Sequence, residues 1–335
     1  MISRELVYKT LNFENITKVP RQIWLLPWAE NKWGNELKKI YSDFPNDIIH
    51  APGYNEESKI QKGDPYEIGE FIDAWGCKFK NIQRGIIGEV REPIVTDQEW
   101  EDVSNVYIPE EWLHLDKDKV NEFCCKTDKF VIAGACPRPF EQLQFIRGTE
   151  NLYIDLMLMP QGLLEFMKKM HEFYCELLIK WAKTDVDSLM FMDDWGAQNS
   201  LLINPDLWVK IFKPMYKDYI DIAHNYGKKI FMHSDGYIVD IYSHLIELGL
   251  DAINSQVFCM TPELLSKYKG EITFWGEIDR QNLLPNGSLE DIDNAVQKLK
   301  DNLWDNGGCI AQCEFGPGAK FENVYRVFET WNKMI

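Results

Sequence analysis

The sequence predicts a single α/β domain, a (β/α)8 barrel with one long inserted capping segment. Three observations predict it. Eight short runs of bulky and β-branched residues are spread along the chain, helical periodicity fills most of the gaps, and polar side chains gather where the runs end. The chain has 335 residues, 45% of them hydrophobic, which is apolar material enough for one large core.

The runs come first. Strand candidates are Gln22–Pro27, Asn46–His50, Phe130–Ala135, Leu189–Asp193, Lys229–His233, Ala252–Val257, Ile272–Glu277 and Cys309–Cys313. From about residue 130 they alternate regularly with helical stretches that carry start and stop signals. Asn204-Pro205 offers an N-cap followed by proline at the first helical position, and Gly227 closes that helix. Thr261-Pro262 repeats the device, and Ser288 with Asp291 resembles a capping box. Eight strands with helical crossovers fit a closed barrel better than a doubly wound sheet. The segment 55–125 is less periodic and rich in Trp, Gly and Pro, and it is expected to be an excursion that caps the catalytic mouth.

Composition excludes several classes. The net charge of −17, from 53 acidic against 36 basic residues, repels polyanions, so no nucleic-acid partner is expected. No apolar run is long enough to span a membrane. The N-terminus, Met1-Ile-Ser-Arg-Glu, carries charge at once and lacks the apolar stretch of a signal peptide. Eight scattered cysteines read as reduced thiols, and the cytoplasm is the expected location.

The strand ends carry the chemistry. They present Cys136 and Arg138, Asp193 and Asp194, His233 and Asp235, Gln256, Glu277 with Asp279, and Cys313 with Glu314. A lone strand-end Asp is more often a helix cap than a catalyst, but in a barrel all these positions open on one mouth. The sharpest piece is Phe231-Met-His-Ser-Asp-Gly236. Taken alone, His233 reads equally as a buried hydrogen-bonded imidazole or as a metal ligand. Cys313 ends the last strand candidate, and across a closed mouth an imidazole and a thiolate make a zinc-type pair.

Several motifs then follow one another in a familiar order. They are Ser3-Arg-Glu-Leu-Val-Tyr-Lys-Thr-Leu-Asn-Phe-Glu14 with Lys18-Val-Pro20, then Asp73-Ala-Trp-Gly-Cys77 with Gly88-Glu-Val90. After them come Asp193-Asp-Trp-Gly-Ala-Gln198, His233-Ser-Asp-Gly236, Gly276-Glu-Ile-Asp-Arg-Gln281 and Cys313-Glu-Phe-Gly-Pro-Gly318. Over nearly the whole chain this set resembles the uroporphyrinogen decarboxylase superfamily, and it is more specific for the superfamily than for any one activity.

The resemblance implies one of two activities. The decarboxylase branch has an early Arg-Gln-Ala-Gly-Arg motif and a catalytic Asp in the next strand-end loop. Here Arg21-Gln22 runs into Ile-Trp-Leu-Leu, and the Asp position falls near His50-Ala-Pro52. A net charge of −17 also suits a tetrapyrrole bearing eight carboxylates poorly. The other branch is the corrinoid-linked zinc methyltransferases, whose zinc is held by a His-x-Cys pair and a distant Cys in the last strand. His233 and Cys313 match, while Asp235 replaces the middle thiolate.

That match implies Zn2+ at His233, Asp235 and Cys313, with Glu277 or Glu314 as the substitute oxygen donor. Exchanging a thiolate for a carboxylate leaves a more Lewis-acidic metal, which suits demethylation of a small O-methylated compound. The methyl group would pass to a corrinoid (a cobamide) carried by a partner protein. Asp194 or Glu314 is expected to protonate the departing oxygen, with Glu277 as a further acid. Trp195 and Trp275 are expected to wall the substrate, and Gln198, Gln256 and Arg138 to bind it. The alternative is a carboxy-lyase acting on a tetrapyrrole.

Overall fold

All eight apolar runs form parallel strands in a computed structural model that describes residues 1–334. In chain order the strands are β1 (Arg21–Leu25), β2 (Ile48–His50), β3 (Gly69–Ile72), β4 (Lys78–Asn81), β5 (Glu89–Glu92) and β6 (Phe130–Ile132). They continue as β7 (Ser188–Met192), β8 (Lys229–Ser234), β9 (Ala252–Ser255), β10 (Thr273–Trp275) and β11 (Cys309–Phe315). Eight of them make one sheet in the order β1-β11-β10-β9-β8-β7-β6-β2. The seam between β1 and β2 is bridged at its N-terminal end. Asp47 N–H donates to Arg21 O (2.8 Å), Arg21 N–H to the Asp47 carboxylate (3.0 Å), and Ile23 N–H to Asn46 Oδ1 (2.9 Å). The result is a nearly closed (β/α)8 barrel.

Several strands end earlier than the apolar runs suggest. Pro27 opens the helix Pro27–Asp43, because it has no N–H for a ladder and its φ suits a first helical position. Val257 likewise begins a short helix, Val257–Met260. The caps form as the sequence predicts: Asn204 and Thr261 each accept a backbone N–H ahead of a proline, and Ser288 with Asp291 completes a capping box. Each such cap stabilises its helix by about 1 kcal/mol.

Alternation along the strands sorts side chains into two layers. Ile48, Phe130, Ile132, Met190, Phe231 and Ile310 fill the barrel interior, together with Val7 and Leu11 of the helix Ser3–Leu11. Their sequence neighbours Val131, Leu189, Met232 and Ala311 pack outward in the large cluster shared with the helices, as does Cys313, two residues beyond Ala311. The N-terminal helix plugs the lower end of the barrel, with Tyr8 edge-on to Phe130 (5.2 Å between centroids) and Arg4 paired with Asp187 (3.0 Å). The C-terminal end is therefore where a candidate site is sought.

The stretch between β2 and β6 contains the antiparallel sheet β3-β4-β5, which the sequence reading did not anticipate. Its strands have four residues each and are half exposed, so their alternation is short and weak. Phe71 and Phe79 pair across β3 and β4, and Phe79 packs edge-on against Phe145 (5.0 Å) in the helix Pro139–Arg147. Trp28, just beyond β1, donates its N–H to Gly85 O (3.3 Å). The sheet thus rests on loops that follow β1 and β6, at the C-terminal end of the barrel. Among the described residues no helix is long and apolar enough to cross a membrane, and all eight cysteines are free thiols.

Candidate active site at the barrel mouth

Two glycines bring the central loops together. The turn after β8 places Gly236 at φ +78°, a left-handed conformation that suits glycine. A Cβ there would lie 2.1 Å from Gly196 O, and one on Gly196 would lie 2.2 Å from Tyr237 N. The two backbones touch because neither residue has a side chain. Gly196 N–H donates to Asp235 O (3.0 Å), Tyr237 N–H to Ala197 O (2.8 Å), and Asp235 N–H to Asp194 Oδ1 (2.9 Å). Asp194 and Asp235 consequently stand side by side.

Between them sits His233, which faces inward like Phe231 two residues earlier on β8. Its register partner on β9 is Asn254. The Asn254 Nδ2 donates to Trp275 O (2.6 Å), which turns its Oδ1 toward His233 Nδ1 at 2.6 Å. Nδ1 therefore carries the hydrogen, and Nε2 presents its lone pair to the mouth. Nε2 lies 3.5 Å from Asp194 Oδ1 and 3.6 Å from Asp235 Oδ1. The Asp235 Oδ1 is buried without a hydrogen-bond partner. One imidazole and two carboxylates, all with ligand atoms within 4.8 Å of one another, form a set that fits a divalent cation.

An arginine bridges the acids beyond. Arg280 pairs with Asp235, lies 3.1 Å from Glu314 and 3.5 Å from Glu277. Glu277 is only 3% exposed, and neither of its carboxylate oxygens has a hydrogen-bond partner. Burial pushes its carboxyl up to about 8, against the pull of Arg280 and with the help of Asp235 and Glu314. Burial also raises Glu314 and Asp194. Of these three, Glu277 is the carboxyl that keeps its proton near neutral pH.

Two cavities open here. One, of about 280 Å³, is lined by Gln198, Gln256, Cys259, Glu277 and Arg280 among others, and is polar. The other, of about 510 Å³, lies between the inserted sheet and the helix after β6. Its walls include Phe71, Trp75, Phe79, Phe145 and Tyr174, and its polar groups include Arg138 and Glu141. Glu141 is the nearest ion-pair partner of Arg138 among the described residues, at 3.8 Å, so the guanidinium is left free for an anion. Burial pushes Glu141 up to about 7, against the pull of Arg138, and its backbone N–H donates to Asp193 Oδ1 (2.8 Å), one residue before Asp194, which sets this chamber beside the imidazole–carboxylate centre.

The structure gathers most of the sequence-predicted residues and separates three. Asp194, His233, Asp235, Glu277 and Glu314 converge at the mouth; Gln198 and Gln256 line the polar cavity, and Arg138 the aromatic one. Cys313 does not join them. On β11 it lies in register with the outward residues Cys309, Ala311 and Phe315, whereas Ile310 points inward. Cys313 and His233 therefore face opposite sides of the barrel wall, and a metal shared by His233, Asp235 and Cys313 is not supported by this geometry. Trp195 is fully buried, stacked on Phe140 (3.9 Å) and bonded through Nε1 to Tyr216 (2.7 Å), and so is a core residue. Trp275 is fully buried beneath Trp24 in the barrel floor. Neither offers a wall to a substrate.

Sequence reasoning missed Glu141, Asn254 and Arg280 and the aromatic side chains of the insertion. Asn254 was legible in principle as the inward β9 residue level with His233. Arg280 sits inside a quoted motif, three residues after Glu277.

Fold and mouth together define a class of protein, the (β/α)8 barrel with an acidic mouth and an imidazole at its centre. Within it, the chain belongs to the uroporphyrinogen decarboxylase (URO-D) family, whose sequence model matches residues 68–334. No curated protein matches the sequence significantly. Among solved structures, a methyltransferase from Methanosarcina mazei is similar over 99% of both chains, with a TM-score of 0.69 and 14% identity. A 3-keto-D-glucoside 4-epimerase from E. coli is similar over 66% of this chain and 85% of its own, with a TM-score of 0.39 and 12% identity.

Proposed function

We propose that this protein transfers a methyl group from a small O-methylated substrate to the cobalt of a corrinoid carried by a partner protein, with zinc held at the barrel mouth. The observation that carries the reading is the convergence of Asp194, His233 and Asp235 beside an aromatic-walled chamber. The fold relative from Methanosarcina mazei, itself a methyltransferase, supports it. Asp194, His233 and Asp235 would hold the zinc, which when bound supplies a Lewis acid to the leaving oxygen. With no thiolate in the set, that acidity is greater than at a sulfur-rich site.

The chain's own residues do the rest. Asn254 fixes the His233 tautomer so that Nε2 stays available. Arg138 pairs with an anionic group on the substrate, and Phe71, Trp75 and Phe79 hold its apolar body and exclude water. Glu277 retains a proton at neutral pH that can be passed to the departing oxygen, with Glu314 next to it across Arg280. A decarboxylase reading is poorly served, because the mouth's five carboxylates face two arginines and one of these is already paired.

The test supplies a methoxylated aromatic carboxylate with free reduced corrinoid. Expected is methylation of the cobalt, followed spectroscopically, with equal release of the demethylated product. Absence of methyl transfer from every methoxylated donor tried, together with catalytic conversion of uroporphyrinogen to coproporphyrinogen, overturns the reading.

A further inference from the structure

A second cluster of ligating side chains lies outside the barrel, on the helices Gln161–Ala182 and Pro205–Asn225. His171 and Cys175 are one turn apart on the first helix and so share a face. Asp218 comes from the second helix, with its Oδ2 2.9 Å from His171 Nε2. The Cys175 Sγ lies 3.6 Å from the same nitrogen. The other ring nitrogen, Nδ1, is 3.3 Å from the hydroxyl of the buried Tyr219.

We propose that His171, Cys175 and Asp218 form a second metal site, which takes zinc or another borderline-soft divalent cation and joins the two helices. Their ligand atoms all lie within 4.8 Å of one another. A tetrahedral zinc sets sulfur and nitrogen roughly 3.5 Å apart, close to the spacing here. The fourth position is open to water.

A cysteine–histidine–aspartate relay is the rival reading, and geometry rejects it. A relay needs the carboxylate on one ring nitrogen and the thiol on the other. Here the carboxylate takes Nε2 and the Tyr219 hydroxyl takes Nδ1, while the thiol lies beside the ring, 3.6 Å and 3.9 Å from the two nitrogens, so neither nitrogen is free to accept its proton. Burial, with Asp218 and Glu172, also pushes the Cys175 thiol up to about 12, the opposite of an activated nucleophile.

Metal entry requires small, nameable movements. The Sγ is 3.9 Å from Nδ1 as well as 3.6 Å from Nε2, so it sits beside the ring and must turn about its Cα–Cβ bond to meet the ion. Asp218, with its side chain 57% exposed, must recede by roughly 0.4 Å to the separation a tetrahedral ion sets. The thiol proton is released to solvent as the metal–sulfur bond forms. The second helix also supplies Tyr216 to Asp193 and Phe212 to Trp195, so the bound ion steadies the wall behind the Asp194 loop.

Cobalt(II) titration of the chelator-treated, full-length protein tests this. A cobalt–thiolate bond absorbs in the near ultraviolet, and the set at the barrel mouth contains no sulfur, so the band reports the outer site alone. Expected is a band that saturates within about two equivalents, one for each site, vanishes in Cys175→Ser, weakens at least tenfold in affinity in His171→Gln, and persists in Asp194→Asn. A wild-type protein with no such band, or a band that survives Cys175→Ser, overturns the proposal.

Discussion

Two buried ionic sites in this molecule use the same residue types to opposite ends. Beneath the insertion, Arg147 and Asp155 pair at 2.5 Å with both side chains only 2% exposed. Asp155 also accepts from Trp100 Nε1 (2.8 Å), and Arg147 donates to Val95 O (3.2 Å). Its charges are met by partners, and it ties the insertion to the helices after β6. At the mouth, Glu277 is equally buried, yet neither of its oxygens has a hydrogen-bond partner, and Asp235 Oδ1 and Glu141 Oε2 are orphaned too. A saturated buried pair is architecture; buried acids left unsatisfied around one imidazole are what the proposed chemistry requires.

Substitutions break this comparison in order of expected effect. His233→Ala removes the central proposed ligand, and methyl transfer should fall by roughly a thousandfold or more, while melting stays within a few degrees of wild type. Asp155→Ala should do the reverse. It leaves the Arg147 guanidinium buried and unpaired, costing about 3–5 kcal/mol in chemical denaturation, with kcat per folded molecule unchanged. Equal loss of stability in the two variants would erase the distinction.

Smaller effects sharpen it. Arg138→Gln should raise KM for an anionic substrate about 10- to 100-fold, from loss of a charge-assisted pair, and leave KM for a neutral analogue alone. Glu277 titrates about 8 in the folded protein, above the ordinary glutamate value of 4.5. Its proton is therefore held across neutral pH, and activity that needs it falls as pH rises through about 8. The stability linked to that proton is fully present below 4.5 and is lost as pH rises through the same range. Glu277→Gln should abolish this alkaline limb in both the rate profile and the melting profile. A limb that persists in the variant assigns the titration elsewhere. Smallest of all, Cys313→Ala should cost roughly 1 kcal/mol and no metal at the mouth, because its thiol faces the helices.

The contrast also explains what the sequence could and could not disclose. Strand positions were legible because parallel barrel strands are apolar on both faces and read as continuous runs, as Lys229–Ser234 shows. The caps at Asn204, Thr261 and Ser288 were legible because capping is local. Which way a strand-end side chain points was not. Placing His233 with Cys313 requires the parity of β8 and β11 about a common barrel axis, and both residues were counted from strand ends rather than from inward neighbours such as Phe231 and Ile310. Trp195 and Trp275 failed for a related reason: a tryptophan beside a catalytic motif fills the core behind the loop as readily as it faces the pocket. The aromatic chamber depends on Phe71 and Phe79, paired across short half-exposed strands whose pattern is too brief to read.

The central claim is a metal at the mouth held by Asp194, His233 and Asp235. The direct measurement is zinc content by elemental analysis of protein purified without chelator, in a His171→Ala, Cys175→Ser background that removes the outer ligands. About one zinc per chain should remain in that background, and adding His233→Ala should reduce it to traces. Zinc that persists without His233, or its absence while His233 is present, would contradict the account.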